Sequence, residues 1–232
     1  SLRLQGDADA NFDTLNLASL FIDTGGPTFN FSGQLSGISD QTAISGTFEF
    51  TEMPFDDLKN YWPDTLMTNA RSWILGNVFD GVLSNFTVDF DIKPGEIDLV
   101  QSGARPNAID VDFSFRDATV NYFPEQPYAF GVDGEGHVDG ASLSMNMRDG
   151  TIENMYAPSG VALITDLMLD SAMLTIIANV EGPADNAISL LDGPRFGYPS
   201  KMGLKGEQFS GHVIAEMGVQ LPFRSDVTFE EV

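Results

Sequence analysis

Residues 84–92 read Ser-Asn-Phe-Thr-Val-Asp-Phe-Asp-Ile, and from residue 85 onward polar and apolar side chains alternate without a break. The apolar positions are Phe86, Val88, Phe90 and Ile92, and the residues between them are Thr or Asp. Because successive side chains of a β-strand point to opposite faces of a sheet, this period of two predicts a strand with one apolar and one solvated face. Such strands are typical of an antiparallel sheet that is covered on one side only.

The same alternation recurs in other parts of the chain. Its apolar positions are Phe29 and Phe31 in residues 28–32, Ile44, Phe48 and Phe50 in residues 44–50, Ile109, Val111, Phe113 and Phe115 in residues 109–115, Leu143, Met145 and Met147 in residues 143–147, and Val213, Ala215, Met217, Val219 and Leu221 in residues 213–221. Turn sequences rich in Gly, Pro and Asp separate these segments. Their close spacing predicts a meander of about 12–16 strands of roughly 5–10 residues each.

Acidic residues occupy the face opposite the aromatic side chains. Asp89 and Asp91 alternate with the apolar residues of the first segment, and Asp110 and Asp112 do so in residues 109–115. Outward-pointing charges of this kind keep a long sheet from pairing with its neighbours. We therefore expect the apolar face to lie inside the fold and the carboxylates to face solvent.

Residues 53–81 are the only long segment with a helical period. Apolar side chains recur there three or four residues apart, which predicts a helix that packs against the sheet. Pro63 suits the first helical position, and Gly76 and Gly81 suit the helix end. The residues expected to dock this helix are Trp62, Leu66, Ala70 and Trp73.

A second helix is predicted near residues 184–191, again directly after a proline, Pro183. The predicted fold is thus mainly β: a long curled antiparallel meander, shaped as a groove, with two short docking helices near residues 55–76 and 184–191. Each half of the chain offers strands, a proline-initiated helix and more strands, so we expect a single β-rich segment with two similar halves, about 1–104 and 105–232. It begins with Ser1 rather than Met, and we expect it to be a piece of a larger protein.

Composition excludes several classes of function. The 232 residues contain 11 Lys and Arg against 34 Asp and Glu, a net charge of −23. Nucleic-acid binding requires a basic face, and docking on anionic lipid headgroups requires basic clusters. There is no cysteine, so disulfides and thiolate metal sites are absent. The most apolar window, residues 161–180, contains Asp166 and Asp170, which predict two buried strands joined around residues 170–171 rather than a membrane-spanning helix.

No catalytic motif is present in the sequence. The two histidines, His137 and His212, do not accompany a Gly-x-Ser-x-Gly motif. Asp133, Glu135, His137 and Asp139 alternate along one predicted strand, which is typical of a solvated strand face and does not match a calcium-loop spacing. We expect no enzyme activity, no cofactor and no metal.

Several segments together resemble the C-terminal region of the AsmA-like family of bacterial envelope proteins, which includes TamB-type and YhdP-type proteins. The resemblance rests on residues 54–63 with Tyr-Trp-Pro at their end, on Ala-Arg-Ser-Trp-Ile at 70–74, on the strand and aromatic-Pro turn at 117–127, and on residues 189–192, 201–204, 209–211 and 220–223. It covers nearly the whole chain.

The resemblance implies a periplasmic protein of Gram-negative bacteria, anchored in the inner membrane by a segment outside this chain. It also implies a groove along which phospholipid acyl chains pass towards the outer membrane, and so a part in outer-membrane biogenesis and envelope integrity. We expect the fragment itself to be monomeric. The expected lipid-facing residues are Phe29, Phe31, Phe48, Phe50, Phe86, Val88, Phe90, Ile92, Val111, Phe113, Phe115, Leu143, Met145, Met147, Val213 and Met217.

Two alternatives remain open from the sequence. An apolar sheet face must either be buried or be offered to a ligand, so the same phenylalanines could form the ordinary core of a structural β-sandwich or spacer without ligand. A hydrolase that uses His137 or His212 is a third class. A continuous apolar cavity along the sheet would favour the groove, whereas a dense interior would favour the spacer.

Overall fold

The structure is a computed structural model that describes residues 1–38, 40–64, 67–101, 106–123, 125–167, 169, 171–193 and 197–223. Its strands are β1 (Leu2–Ala8), β2 (Thr14–Asp23), β3 (Thr28–Ser36), β4 (Ala43–Pro54), β5 (Val78–Ile92), β6 (Ile109–Val120), β7 (Ala129–Asp139), β8 (Ser142–Arg148), β9 (Gly150–Ile152), β10 (Met155–Thr165), β11 (Met173–Pro183) and β12 (His212–Pro222). They form one 12-stranded sheet in sequential order, with β9 pairing to both β7 and β10. All pairs are antiparallel, so the predicted meander is confirmed.

The helices are α1 (Thr68–Asn77), α2 (Ile97–Gln101), α3 (Ala184–Leu191) and α4 (Tyr198–Lys201), with 3-10 helices at Phe55–Asn60, Pro106–Ala108 and Gly206–Gln208. The predicted helix near residues 184–191 is therefore present as α3. The predicted helix near residues 55–76 is divided into the 3-10 helix Phe55–Asn60 and α1.

The prediction that Pro63 begins the first helix was wrong. The residue before a proline is disfavoured in helical geometry, so Pro63 limits the 3-10 helix that ends at Asn60 and does not begin a helix of its own. Helix α1 begins only after Met67, whose φ of 52° lies in the left-handed region. The predicted exits at Gly76 and Gly81 were also wrong, because α1 runs through Gly76 to Asn77 and β5 follows directly.

Two paired glycines allow an unusual backbone in the first part of the sheet. Gly33 of β3 lies opposite Gly46 of β4, with φ values of +150° and +151°. A Cβ on either residue would lie 2.2 Å from a backbone carbonyl oxygen of the neighbouring strand. Glycines placed in this way let a sheet bend sharply, which suits a sheet that curves around an interior.

Three buried clusters lie on the inner side of the sheet. The largest joins Ala70 and Trp73 of α1 to strands β5 to β12 and to Phe223. The second contains Phe55 and Leu58 of the 3-10 helix together with residues of β3 to β7. The third contains Leu190 of α3 with residues of β9 to β11. Both helical segments therefore dock on the same face of the sheet.

Residues 161–180 form β10 and β11 with a connection between them, as predicted, although Asp170 lies outside the described residues. The prediction that both strands are buried was wrong for one face: Val161, Leu163 and Ile177 are 48%, 44% and 40% exposed. Sheet strands that are covered on one side have this asymmetry. Among the described residues, no helix is long and apolar enough to cross a membrane.

Candidate apolar ligand site

The aromatic residues of β3, β4 and β5 are brought together by the strand register. Phe29 lies opposite Phe50, and Phe50 lies opposite Phe86. The rings of Phe50 and Phe86 stack with their centroids 4.3 Å apart. Directly opposed residues share a face of the sheet, so these side chains form one continuous apolar surface. We call the inner face this surface together with the side chains that point the same way from the other strands.

An apolar cavity of about 220 Å³, which we call the first cavity, lies between this part of the inner face and the helical segment. Expected lipid-facing residues in its lining are Phe29, Phe48, Phe50, Phe86, Val88, Phe90, Val111, Phe113 and Leu143. The opposite side of the cavity is formed by the 3-10 helix, by residues 61–63 and by Met67, Ala70 and Ile74. Helix and sheet thus enclose this space from two sides.

Several lining residues of the first cavity were not predicted from sequence. They include Met53, Phe55, Leu58, Tyr61 and Leu83. Phe55 and Leu58 are three residues apart, and residues at that spacing lie on the same side of a 3-10 helix. This spacing was the available signal, and it is distinct from the α-helical period by which the docking residues are predicted.

The second cavity, about 100 Å³ in volume, lies farther along the same face. Met147 and Met217 are the expected lipid-facing residues in its lining, which also includes Val120 of β6 and Val219 of β12. One charged residue, Arg148, belongs to this lining. Burial raises the pKa of Tyr122, another lining residue, to about 12, and the charge of Glu153 adds to the rise, so the phenol stays neutral.

The lining of the second cavity shows how strongly the sheet curves. Five inter-strand spacings separate β6 from β12, about 24 Å in a flat sheet at ~4.8 Å each. Val120 and Val219 nevertheless line one cavity of about 100 Å³. The rings of Trp73 and Phe223 are also in contact, with centroids 5.0 Å apart. The sheet therefore curls back on itself in its second half, and the curled form of the predicted meander is confirmed.

The other expected lipid-facing residues line neither cavity. Ile92 and Phe115 are buried in the clusters, and Met145 packs half-buried against two of them. Val213 packs against the cluster around α3, and Phe31 is half-buried beside Phe48, its partner across β3 and β4.

The residues predicted to dock the first helix divide in a similar way. Trp62 and Ala70 line the first cavity, and Trp73 is buried in the largest cluster. Leu66 lies outside the described residues.

The reverse face of the sheet carries the acidic residues. Asp89, Asp91 and Asp112 are exposed there, and the ring of His137 lies 2.8 Å from Asp112 and 3.8 Å from Asp110. The hydrogen bond with Asp112 raises the pKa of His137; burial opposes this rise, and the charges of Asp110, Asp112 and Asp139 add to it. The side chains of Asp110, Asp112 and His137 are close enough to share a cation, and the hydrogen bond between Asp112 and His137 accounts for the approach of those two.

The fold is thus a one-sided antiparallel sheet curled around apolar cavities. In the part of the chain that the structure describes, neither cavity lining contains a histidine or a carboxylate that could act as a general base.

Comparison with known families gives a particular assignment. The family model described as YhdP protein matches residues 3–229. The chain therefore belongs to the YhdP family, one of the AsmA-like envelope proteins, which confirms the resemblance seen in the sequence. No curated protein and no solved structure matches the chain significantly.

Proposed function

We propose that this chain is a periplasmic lipid-binding segment of an inner-membrane-anchored envelope protein, and that it holds acyl chains of phospholipids moving between the inner and outer membranes. The observation that supports this most directly is the first cavity of about 220 Å³ with its aromatic and aliphatic lining. Membership of an envelope protein family supports the location.

The physics of the cavity favours a hydrocarbon occupant. An apolar cavity of about 150 Å³ stays dry and accepts a benzene-sized guest, and the first cavity is larger than that. Each CH₂ group moved from water into such a site contributes roughly 0.8 kcal/mol. Because this attraction has no preferred direction, an acyl chain can slide along the inner face without first breaking a polar contact.

The charge distribution favours contact with the acyl chain rather than with the headgroup. The chain has a net charge of −23, and its carboxylates lie on the reverse face. Anionic headgroups are bound by clusters of basic residues, whereas the two cavity linings contain a single cation, Arg148. The protein is proposed to be non-catalytic, because the same linings offer no acid–base pair.

The proposal is tested by lipid uptake. The purified chain would be incubated with vesicles of phosphatidylethanolamine and phosphatidylglycerol, separated from them and examined by native mass spectrometry. We expect bound phospholipid with the parent chain and little with Phe90→Asp, which places a carboxylate in the first cavity. Thr175→Asp is the matched control, since the side chain of Thr175 lies on the reverse face of β11 and its cross-strand partners, Leu163 and Gln220, are uncharged.

A second function, a structural spacer without ligand, is favoured by the three buried clusters that fill much of the inner side of the sheet. It predicts no phospholipid on the parent chain and no difference between the two variants. If Phe90→Asp does not fold, uptake by the parent chain and by the milder Phe90→Leu decides between the two functions.

A further inference from the structure

We propose that Met145 separates the two cavities and that its movement lets one acyl chain occupy both; this rests on the proposed lipid-binding function. The two cavities would then be parts of one path rather than independent pockets. Four residues at the same level of neighbouring strands define the divide between the cavities: Phe113 of β6, Gly136 of β7, Met145 of β8 and Ala162 of β10.

The position of Met145 follows from the strand on which it lies. Leu143 lines the first cavity and Met147 lines the second, and both are on the inner face of β8. They are four residues apart, roughly 13 Å along the strand at about 3.3 Å per residue. Met145 lies midway between them on the same face and lines neither cavity. Any direct connection along β8 passes over its side chain.

The cross-strand partners of Met145 are small. Ala162 of β10 carries only a methyl group, and Gly136 of β7 carries no side chain, although the ring of Phe113 covers it. Met145 is itself only half-buried. An unbranched thioether with three rotatable bonds adapts readily to such a space, so Met145 can swing aside without displacing the backbone.

Glycines on β7 fix the aromatic side of the divide. A Cβ added to Gly136 would lie 2.2 Å from Cζ of Phe113, and one added to Gly134 would lie 2.5 Å from Cζ of Phe115. The rings of Phe113 and Phe115 therefore lie directly on the β7 backbone. The two rings, tilted by 35° to each other, cover the β7 backbone beside Met145, which is the movable side chain.

The occupant that fits this arrangement is a single unbranched acyl chain. The linings on either side of the divide are almost entirely apolar, which excludes a headgroup from the path. A rigid ring system cannot bend past a side chain that stands between two small cavities. A flexible hydrocarbon chain can pass it because each CH₂ adjusts its own torsion angle.

The test uses stearic acid that carries a photoreactive diazirine near its terminal methyl group. After irradiation with the full chain, cross-linked residues are identified by mass spectrometry. Residues of β3 and β4 report on the first cavity alone, and residues of β11 and β12 report on the second cavity alone, because these strands line only one cavity each.

We expect cross-links on both pairs of strands in the parent chain. Met145→Phe should lose those on β11 and β12 and keep those on β3 and β4, while Met145→Ala should increase those on β11 and β12. Ser144→Phe is the matched control, since it adds the same bulk one residue away on the exposed reverse face.

Two results would overturn the inference while leaving lipid binding intact. Cross-links confined to β3 and β4 in the parent chain would show that the cavities are not joined. Cross-links on β11 and β12 that survive Met145→Phe would show that Met145 does not control the connection. The absence of specific cross-links and of bound phospholipid would instead contradict the proposed function. If Met145→Phe fails to fold, unchanged β11 and β12 cross-links in Met145→Ala would overturn the inference.

Discussion

The two cavities on the inner face are enclosed in different ways. The first lies between the sheet and the segment that contains the 3-10 helix and α1, whereas the second lies between strands of the same curled sheet. The first therefore depends on how well a short helical segment is anchored, and the second on strand curvature maintained along β6 to β12.

The largest effect is expected at the anchor of the helical segment. Trp73→Ala should lower the free energy of unfolding by about 3–5 kcal/mol, because it removes a large buried side chain that is only 8% exposed and contacts Phe223. Urea denaturation measures the loss. Phe130→Ala is the control, since Phe130 is half exposed. Equal losses in the two variants would show that α1 is not anchored by Trp73.

A smaller effect is expected on β7, the strand that borders both cavities. Gly136→Ala should cost about 1–3 kcal/mol, because the added methyl group overlaps the ring of Phe113. Phe113→Leu should relieve part of that overlap, so the double variant should lose less than the sum of the single losses. A double-mutant cycle in urea measures this coupling. Additive losses would contradict the ring placement.

A modest gain is expected within α1 itself. Gly76→Ala should raise the free energy of unfolding by about 0.5–1 kcal/mol, because alanine restricts the unfolded chain and favours helix, and its Cβ meets no atom within 4 Å. Gly203 is the matched control: it also has open space, but its φ is +76°, so Gly203→Ala should destabilise. Thermal melts compare the two. A loss of stability in Gly76→Ala would mean that this turn of α1 is not helical.

The smallest effect is expected on the reverse face, behind the first cavity. The hydrogen bond with Asp112 raises the pKa of His137 in the folded state. The protonated ring therefore stabilises the fold fully at pH values below the pKa of His137 in the unfolded chain. This stabilisation is lost as the pH rises through the pKa in the folded state. The side chain is 43% exposed, and solvent screening keeps the contribution below about 1 kcal/mol.

His137→Gln should therefore lose stability relative to the parent at about pH 5.5 and much less at about pH 8.5, on either side of the ordinary histidine pKa. Denaturant midpoints of both proteins at the two pH values measure the difference. A gap that widens towards high pH would reverse the sign and contradict the pairing.

Much of the sheet was predictable from side-chain alternation alone. In residues 84–92 and 109–115, apolar and acidic residues alternate so regularly that only one register buries the aromatic rings. The helical segment was less predictable, since the left-handed Met67 and the break at residues 61–63 depend on local backbone geometry that periodicity does not encode.

The candidate site was predictable only in part. The alternation of side chains along β5 identified Phe86, Val88 and Phe90 as inner-face residues. It could not show that Ile92 and Phe115 are packed in the buried clusters, whereas Phe86 borders a cavity. That distinction depends on how far the sheet curls and where α1 lies across it. Both are long-range properties, because Trp73 and Phe223 are brought together from distant parts of the chain.

The sequential order of the strands has a consequence for how the protein acquires its shape. Apart from the short β9, every strand from β2 onward pairs with the strand that precedes it in the sequence. Most of these pairs have short connections, which close quickly and at low entropic cost, whereas helical segments lengthen the connections from β4 to β5, from β5 to β6 and from β11 to β12. The first strands of the sheet can therefore pair before the later ones are available, and the contacts that need β12 or Phe223, such as that between Trp73 and Phe223, form last.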